Sequence, residues 1–485
     1  MDPARTMTDL SEPLPHPPLD QLETALRQVE GWALHHHNTL QDQPIGLAAT
    51  PAELRRRLGE PPPDSGRPFA EILERFSRDV APFAFNVMHP RFLGFVPGAP
   101  CFPSIIGDWL TAAANYFTGV WLEAAGPTQV ELTVLDWFKQ WLGYPPEARG
   151  ILTSGGSEAN LTALVVARDS ILRQDRQRMV LYQAFDAHSS IDRAAMVMGM
   201  HVSQIRQVFG PPDFRMRVDA LRDRVRSDRA AGLLPWAVVA NAGATNTGAV
   251  DPLSEIAAFC REERLWLHVD AAYGWAAVLT EEGKRDLAGI AEADSVTLDP
   301  HKWLAQTFEA GCLLVRDGGL LTKTFQMRPD YLQDATPGEG EVNLADQGIA
   351  LTRRFRALKI WVSVQMLGLN WFRALVERSM QLADYAQRQL EAASSFEILS
   401  PRQLSIVCFR YVPQRSAGMK IDLDALNERL SRELLATGRA FLSSTRLNGR
   451  FSLRMCFINW RTTSHDVDQI IELLKEIGNE LAARP

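Results

Sequence analysis

A chain of 485 residues, 46% hydrophobic and 22% charged, is long enough for two domains, or for one large α/β domain with a smaller companion. Its formal net charge of −7 offers no basic stripe for nucleic acid, and no apolar run reaches the roughly 18 residues needed to span a bilayer. The five cysteines, Cys101, Cys260, Cys312, Cys408 and Cys456, are widely spaced and odd in number. That pattern fits a reducing cytoplasm better than a disulfide framework or a zinc site.

Residues 1–18 hold Pro13, Pro15, Pro17 and Pro18 and lack the apolar centre of a secretory signal, so an extended arm is expected. Asp20 can cap a helix over residues 20–38, with Leu22, Ala25, Val29 and Trp32 at helical spacing. His35, His36 and His37 fall inside that pattern and face different directions, so no metal site is expected there. Thr50-Pro51 opens a second helix that stops before Gly59, and a third covers residues 69–79. These amphipathic helices have no core of their own. Residues 89–100 are apolar but rich in Gly and Pro, which predicts a loop crossing the core. A further amphipathic helix covers residues 131–142.

Residues 150–154 then lead into Gly155-Gly156-Ser157-Glu158-Ala159-Asn160 and a long helix to about Arg168. Small residues that open a helix leave backbone N–H groups free at the positive end of its dipole, which suits an anionic group such as phosphate. The run has no Gly-Lys-Ser/Thr, so it is not a nucleotide P-loop. Strands predicted at 179–185, 234–240, 265–270, 295–298 and 311–316 alternate with helices, which implies a mainly parallel sheet flanked on both faces. Ligands in such sheets sit at the carboxyl ends of the strands. His188, Thr245, Asp270 and Lys302 each fall just after a predicted strand and can converge. Beyond about residue 360 the pattern changes to strands at 396–399, 404–411, 440–444 and 451–458, with helices at 422–436 and 464–481. Arg353-Arg354-Phe355-Arg356 is expected to open the connecting helix.

The chemistry centres on Asp294-Ser295-Val296-Thr297-Leu298-Asp299-Pro300-His301-Lys302-Trp303-Leu304. A lysine held between buried strands is costly as a free ammonium, which suits it to form an imine with a carbonyl. Ser295, Lys302, Trp303, Leu304, Phe308, Ala310 and Arg316 resemble, in register, the lysine segment of the group II pyridoxal-phosphate-dependent amino-acid decarboxylases, the aromatic-amino-acid and glutamate decarboxylase type. The resemblance runs from about residue 80 to the C-terminus and is strongest over 150–360.

This resemblance implies a fold-type I PLP-dependent transferase with a seven-stranded sheet. It implies an N-terminal segment, 1–85, exchanged between the subunits of a homodimer, a large cofactor-binding domain, 86–360, and a small α+β domain, 361–485. The cofactor would be pyridoxal 5′-phosphate, tethered to Lys302. Gly156 and Ser157 would be the closest phosphate donors. Asp270 would pair with the pyridine nitrogen, His188 would stack on the ring, and Thr245 would lie near the 3-hydroxyl. Asp299 and His301 would complete the cofactor site, with His301 near the phosphate or buttressing Lys302. Phe95, Val96 and Pro97 would wall the substrate pocket, and Phe117 of the next helix would reach it across the dimer. Tyr331, in Met327-Arg328-Pro329-Asp330-Tyr331-Leu332, would deliver the proton to the product carbanion, under a flexible lid at 334–346. The implied reaction is decarboxylation of an L-amino acid with an apolar or aromatic side chain. Oxidative formation of an aldehyde, a transaminase-like activity and a catalytically silent binding role remain open alternatives.

Overall fold

In a computed structural model of the chain, residues 16–96, 98–171, 175–210, 213–327, 330–414 and 421–483 are described. The chain divides into two units after Asn86. In the first, helices Leu19–Thr39, Pro51–Leu58 and Phe69–Arg75 bury none of their side chains. Pro18 rather than Asp20 is the residue before the first helix, and Asp20 instead accepts from the Gln21 N–H within the first turn. Thr50 caps the second helix through the Glu53 N–H, as its position before Pro51 predicts.

The second unit is built on seven strands: β1 (Arg149–Thr153), β2 (Met179–Ala184), β3 (Ile205–Val208), β4 (Leu234–Asn241), β5 (Trp266–Asp270), β6 (Ser295–Leu298) and β7 (Gly311–Val315). Their order across the sheet is β1-β7-β6-β5-β4-β2-β3. Only β7 runs against its neighbours; β6, β5, β4, β2 and β3 pair in parallel. Strands β2, β5, β6 and β7 are buried along their whole length, which explains why they read as continuous apolar runs.

Strand β3 and the helix Val218–Ala230 have no counterpart in the sequence reading. The reason is local: β3 is an edge strand whose Arg206 and Gln207 are not buried, and the helix shows only a narrow apolar stripe, Leu221 and Val225, in a charged background. The helix expected from Arg353 begins later, at Ala357, and runs to Ala392 with a break at Gly368. Arg353 stays outside the helix because its carbonyl accepts the Thr118 N–H at 3.0 Å and its side chain is drawn into the core. The expected domain border at 360/361 therefore falls inside this helix. Beyond it, β8 (Phe396–Ile398), β9 (Ile406–Tyr411), β10 (Ser443–Leu447) and β11 (Arg450–Cys456) form an antiparallel sheet of order β10-β11-β9-β8. Helices Leu423–Ala436, capped by Asp422, and Ser464–Ala483 follow the sequence pattern.

Candidate active site

The carboxyl ends of β1, β2, β4, β5 and β6 surround one cavity of about 390 Å³. Gly156 and Ser157 line it from the helix Gly156–Ile171, His188 from the turn after β2, and Thr245 from the turn after β4. Asp270, the last residue of β5, and Asp299, His301 and Lys302, from the turn after β6, complete the lining.

Lys302 is placed by its neighbours. Trp303 and Leu304 are fully buried, and the Trp303 ring stacks on Tyr273 at 5.1 Å. The Lys302 N–H donates to the Asp299 carbonyl at 3.0 Å. Gly98 lies against the Lys302 carbonyl so closely that a Cβ there would sit 1.9 Å from its oxygen. The lysine is thus fixed at its Cα while its side chain reaches the cavity. Its Nζ is 3.1 Å from Asp299 Oδ2. His301 Nδ1 lies 2.6 Å from the Ala310 carbonyl and therefore carries the proton, and burial pulls the ring below its ordinary pKa.

Asp270 is buried at the opposite side. Its Oδ2 accepts from Asn160 Nδ2 at 2.8 Å and its Oδ1 from the Ala272 N–H at 3.1 Å. His188 caps the helix Ser189–Val197, with Nδ1 accepting from the Ser190 N–H at 3.2 Å. Burial lowers its pKa first, with Asp270 partly opposing, so the ring is held neutral. At the third side, Gly156 and Ser157 open a helix whose first-turn N–H groups have no intrahelical acceptor. Glu158 turns back to accept the Ser154 N–H and hydroxyl, each at 2.7 Å, which steadies that turn. A Cβ on Gly156 would stand 2.9 Å from Asp299 Oδ2 and 3.2 Å from the Ala272 Cβ, filling the floor of the cavity.

A lysine, a buried carboxylate, a neutral histidine and an anion-binding helix start around one space match one class of known proteins. The model of the pyridoxal-dependent decarboxylase conserved domain matches residues 51–412. The chain belongs to the pyridoxal-dependent decarboxylase family. The aromatic-L-amino-acid decarboxylase of Bacillus atrophaeus is 41% identical over 450 residues, covering 93% of this chain and 94% of that protein. The crystal structure of Oryza sativa TDC with PLP and tryptamine superposes with a TM-score of 0.91 at 28% identity, over 97% of this chain and 99% of that one. The Rhodiola rosea 4-hydroxyphenylacetaldehyde synthase structure gives 0.88 at 26% identity, over 96% and 99%. This decarboxylase has the fold-type I architecture, it is a PLP-dependent carboxy-lyase acting on amino acids, and its cofactor is pyridoxal 5′-phosphate.

The cavity of this decarboxylase suits that cofactor. Gly156 opens the helix at the anion-binding end, and Asn160, about 6 Å along its axis, holds the buried Asp270. An anion site and a buried carboxylate on one cavity suit a pyridine ring bearing a phosphate arm.

The residues expected to wall the substrate pocket are not in the lining of this cavity. Phe95 is 61% exposed and rests on Phe441 at 5.4 Å between ring centroids, while Val96 is buried in the main core. Phe117 follows the helix Phe102–Ala114 rather than lying in it, and bridges to Arg354. None of these three lines the cavity among the described residues. Pro97 lies outside the described residues. Tyr331 falls in a 3-10 segment, Asp330–Ala335, and its side chain also lies outside them.

Two positions were missed. Asn160 stood in the quoted helix start, yet nothing local marks it as the partner of Asp270. Arg454 on β11 donates to the Asn246 carbonyl and to the Phe95 carbonyl, both at 2.8 Å, and to Ser443 Oγ at 3.1 Å. It therefore ties the loop after β4 to the Phe95 loop, reaching each from more than 200 residues away in sequence.

Proposed function

We propose that this decarboxylase converts an L-aromatic amino acid to its amine and carbon dioxide. The observation that carries the reading is the convergence of Lys302, Asp270 and His188 on one cavity bounded by the helix start at Gly156. The relative at 41% identity supports the aromatic substrate class. Bound pyridoxal phosphate supplies an aldehyde for capture and a ring that withdraws electrons from the bond being cleaved.

The chain's own groups do the rest. The N–H groups of Gly156 and Ser157 hold the phosphate at the positive end of their helix. Asp270 would keep a proton on the ring nitrogen, and Thr245 would meet the 3-hydroxyl. His188, neutral, would cover one ring face without adding charge. Asp299 holds the Lys302 Nζ on the cavity side, where it would meet the aldehyde of a bound cofactor, and His301 would brace that turn. Phe95, Val96 and Pro97, with Phe117 of a second subunit, exclude water around the substrate side chain. Tyr331 then passes a proton to the substrate α-carbon. A homodimer is consistent with the exposure of Tyr116, Leu122 and Phe308 in the second unit. No helix among the described residues is long and apolar enough to cross a membrane, and the five buried free cysteines support a reducing, cytoplasmic setting.

Asp270→Asn removes the charge that holds the ring proton, and kcat is expected to fall about a hundredfold with the fold intact. Initial rates check this; an unchanged kcat takes Asp270 out of the chemistry. Aldehyde formation is the second reading, favoured by the similarity to an aldehyde synthase structure. Tyr331 separates the two. A Tyr331→Phe enzyme is expected to lose amine and, consuming dioxygen, to release aldehyde, ammonia and hydrogen peroxide. A panel of L-amino acids with amine, carbon dioxide and peroxide all quantified tests both readings. Amine yield undiminished in that variant removes Tyr331 from the proton step.

A further inference from the structure

We infer that Ser295, His268 and Asn160 form a one-way hydrogen-bond line that ends on Asp270 and sets the ring tautomers of His268 and His188. Its functional weight rests on the roles proposed above for Asp270 and His188, and its direction follows from donor and acceptor chemistry with Asp270 as the acceptor at its end.

The line starts at Trp266, whose indole N–H only donates; it meets Ser295 Oγ at 2.8 Å. Ser295 has one proton left to give, and His268 Nδ1 is 2.8 Å away. A ring that accepts at Nδ1 carries its own proton on Nε2, which faces Asn160 Oδ1 at 3.0 Å, with Thr297 Oγ1 farther off at 3.5 Å. That fixes the Asn160 amide with Nδ2 toward Asp270 Oδ2, at 2.8 Å, and Ser190 Oγ, at 2.9 Å. Ser190 Oγ, having accepted from Asn160, gives its own proton to His188 Nδ1 at 2.8 Å. The remaining His188 proton then sits on Nε2.

The indole at one end only donates, and Asp270 at the other accepts through both oxygens, so the line runs from Trp266 to Asp270. Ser295 and His268 are fully buried and Asn160 is 1% exposed, so water does not offer other partners. Burial also pushes the His268 pKa down to about 4, which keeps the ring neutral with a single tautomer to choose. Asn160 is the branch point. One amide side chain serves two cavity groups, Asp270 at the end of β5 and, through Ser190, His188 in the turn after β2. These three are positioning residues, not catalytic ones.

The test is 15N-histidine NMR on the full-length enzyme, with and without pyridoxal phosphate, the two rings assigned through His268→Gln and His188→Gln. The line predicts His268 and His188 both as Nε2–H tautomers, a result that simple packing does not require. It also predicts that Asn160→Leu weakens pyridoxal phosphate binding about tenfold by equilibrium dialysis, since it strips a charged hydrogen bond from Asp270. An Nδ1–H tautomer at His268 in the wild type overturns the inference, as does unchanged cofactor affinity in Asn160→Leu. If Asn160→Leu does not fold, the wild-type tautomers still decide. If the wild type takes up no pyridoxal phosphate, the cofactor roles fail while the tautomers judge the line separately.

Discussion

Lys302→Ala is expected to lower turnover more than about a thousandfold and to remove the near-visible absorption of lysine-bound cofactor. The lysine is the one amine that the turn after β6 presents to the cavity, and its neighbours fix that turn without its side chain. Trp303 and Leu304 are buried, Gly98 abuts the Lys302 carbonyl, and the Lys302 N–H is bonded to Asp299. Alanine keeps all of these contacts. The variant loses only the ion pair with Asp299, at 3.1 Å, so its denaturation midpoint should stay close to that of the parent. Steady-state rates, absorption spectra and a denaturant titration together check this. A variant that keeps both its absorption band and its turnover places the covalent attachment on another residue.

Arg353→Ala is expected to cost about 3–5 kcal/mol of stability, the range for breaking a buried ion pair by removing one partner. Glu131 and Arg353 are 0% and 1% exposed in their side chains and meet at 2.5 Å. Between them they bracket Leu152: Glu131 Oε1 accepts its N–H at 2.9 Å and Arg353 Nη1 donates to its carbonyl at 3.0 Å. β1 is the edge strand of the sheet, so its outward backbone groups have no neighbouring strand to pair with, and this pair replaces one. Without the guanidinium, Glu131 keeps a buried charge with no counter-ion and the Leu152 carbonyl loses its donor. Four residues further on, Gly156 opens the helix that lines the cavity, so the effect reaches the site as well. The denaturant midpoint at unchanged m-value measures the loss. A shift of less than about 1 kcal/mol contradicts the bracketing role.

Strands buried on both faces are legible because they leave continuous apolar runs ended by turn residues. Ser295–Leu298 before Asp299-Pro300 is the clearest case, and its strand bounds match the sequence reading. With the strands placed, the convergence of His188, Thr245, Asp270 and Lys302 follows from the geometry of parallel sheets. The partners of these groups are not legible in the same way. Asn160 meets Asp270 from 110 residues away, and Glu131 meets Arg353 across 222. Such pairs depend on how the elements pack, which no local window of sequence contains. Arg353 shows the difference well: in sequence it looks like the start of a helix, whereas in the fold it is a buried clamp ahead of the helix. The charged helix Val218–Ala230 was missed for the opposite reason, since two buried leucine and valine positions, Leu221 and Val225, are too little signal against its charges.

The central claim is a covalent one, and peptide mapping tests it most directly. The enzyme, loaded with pyridoxal phosphate, is reduced with borohydride, digested and sequenced by mass spectrometry. The account predicts the reduced phosphopyridoxyl mass on the peptide containing Asp299-Pro300-His301-Lys302-Trp303, at Lys302. The same mass on any other lysine, or on none, contradicts it.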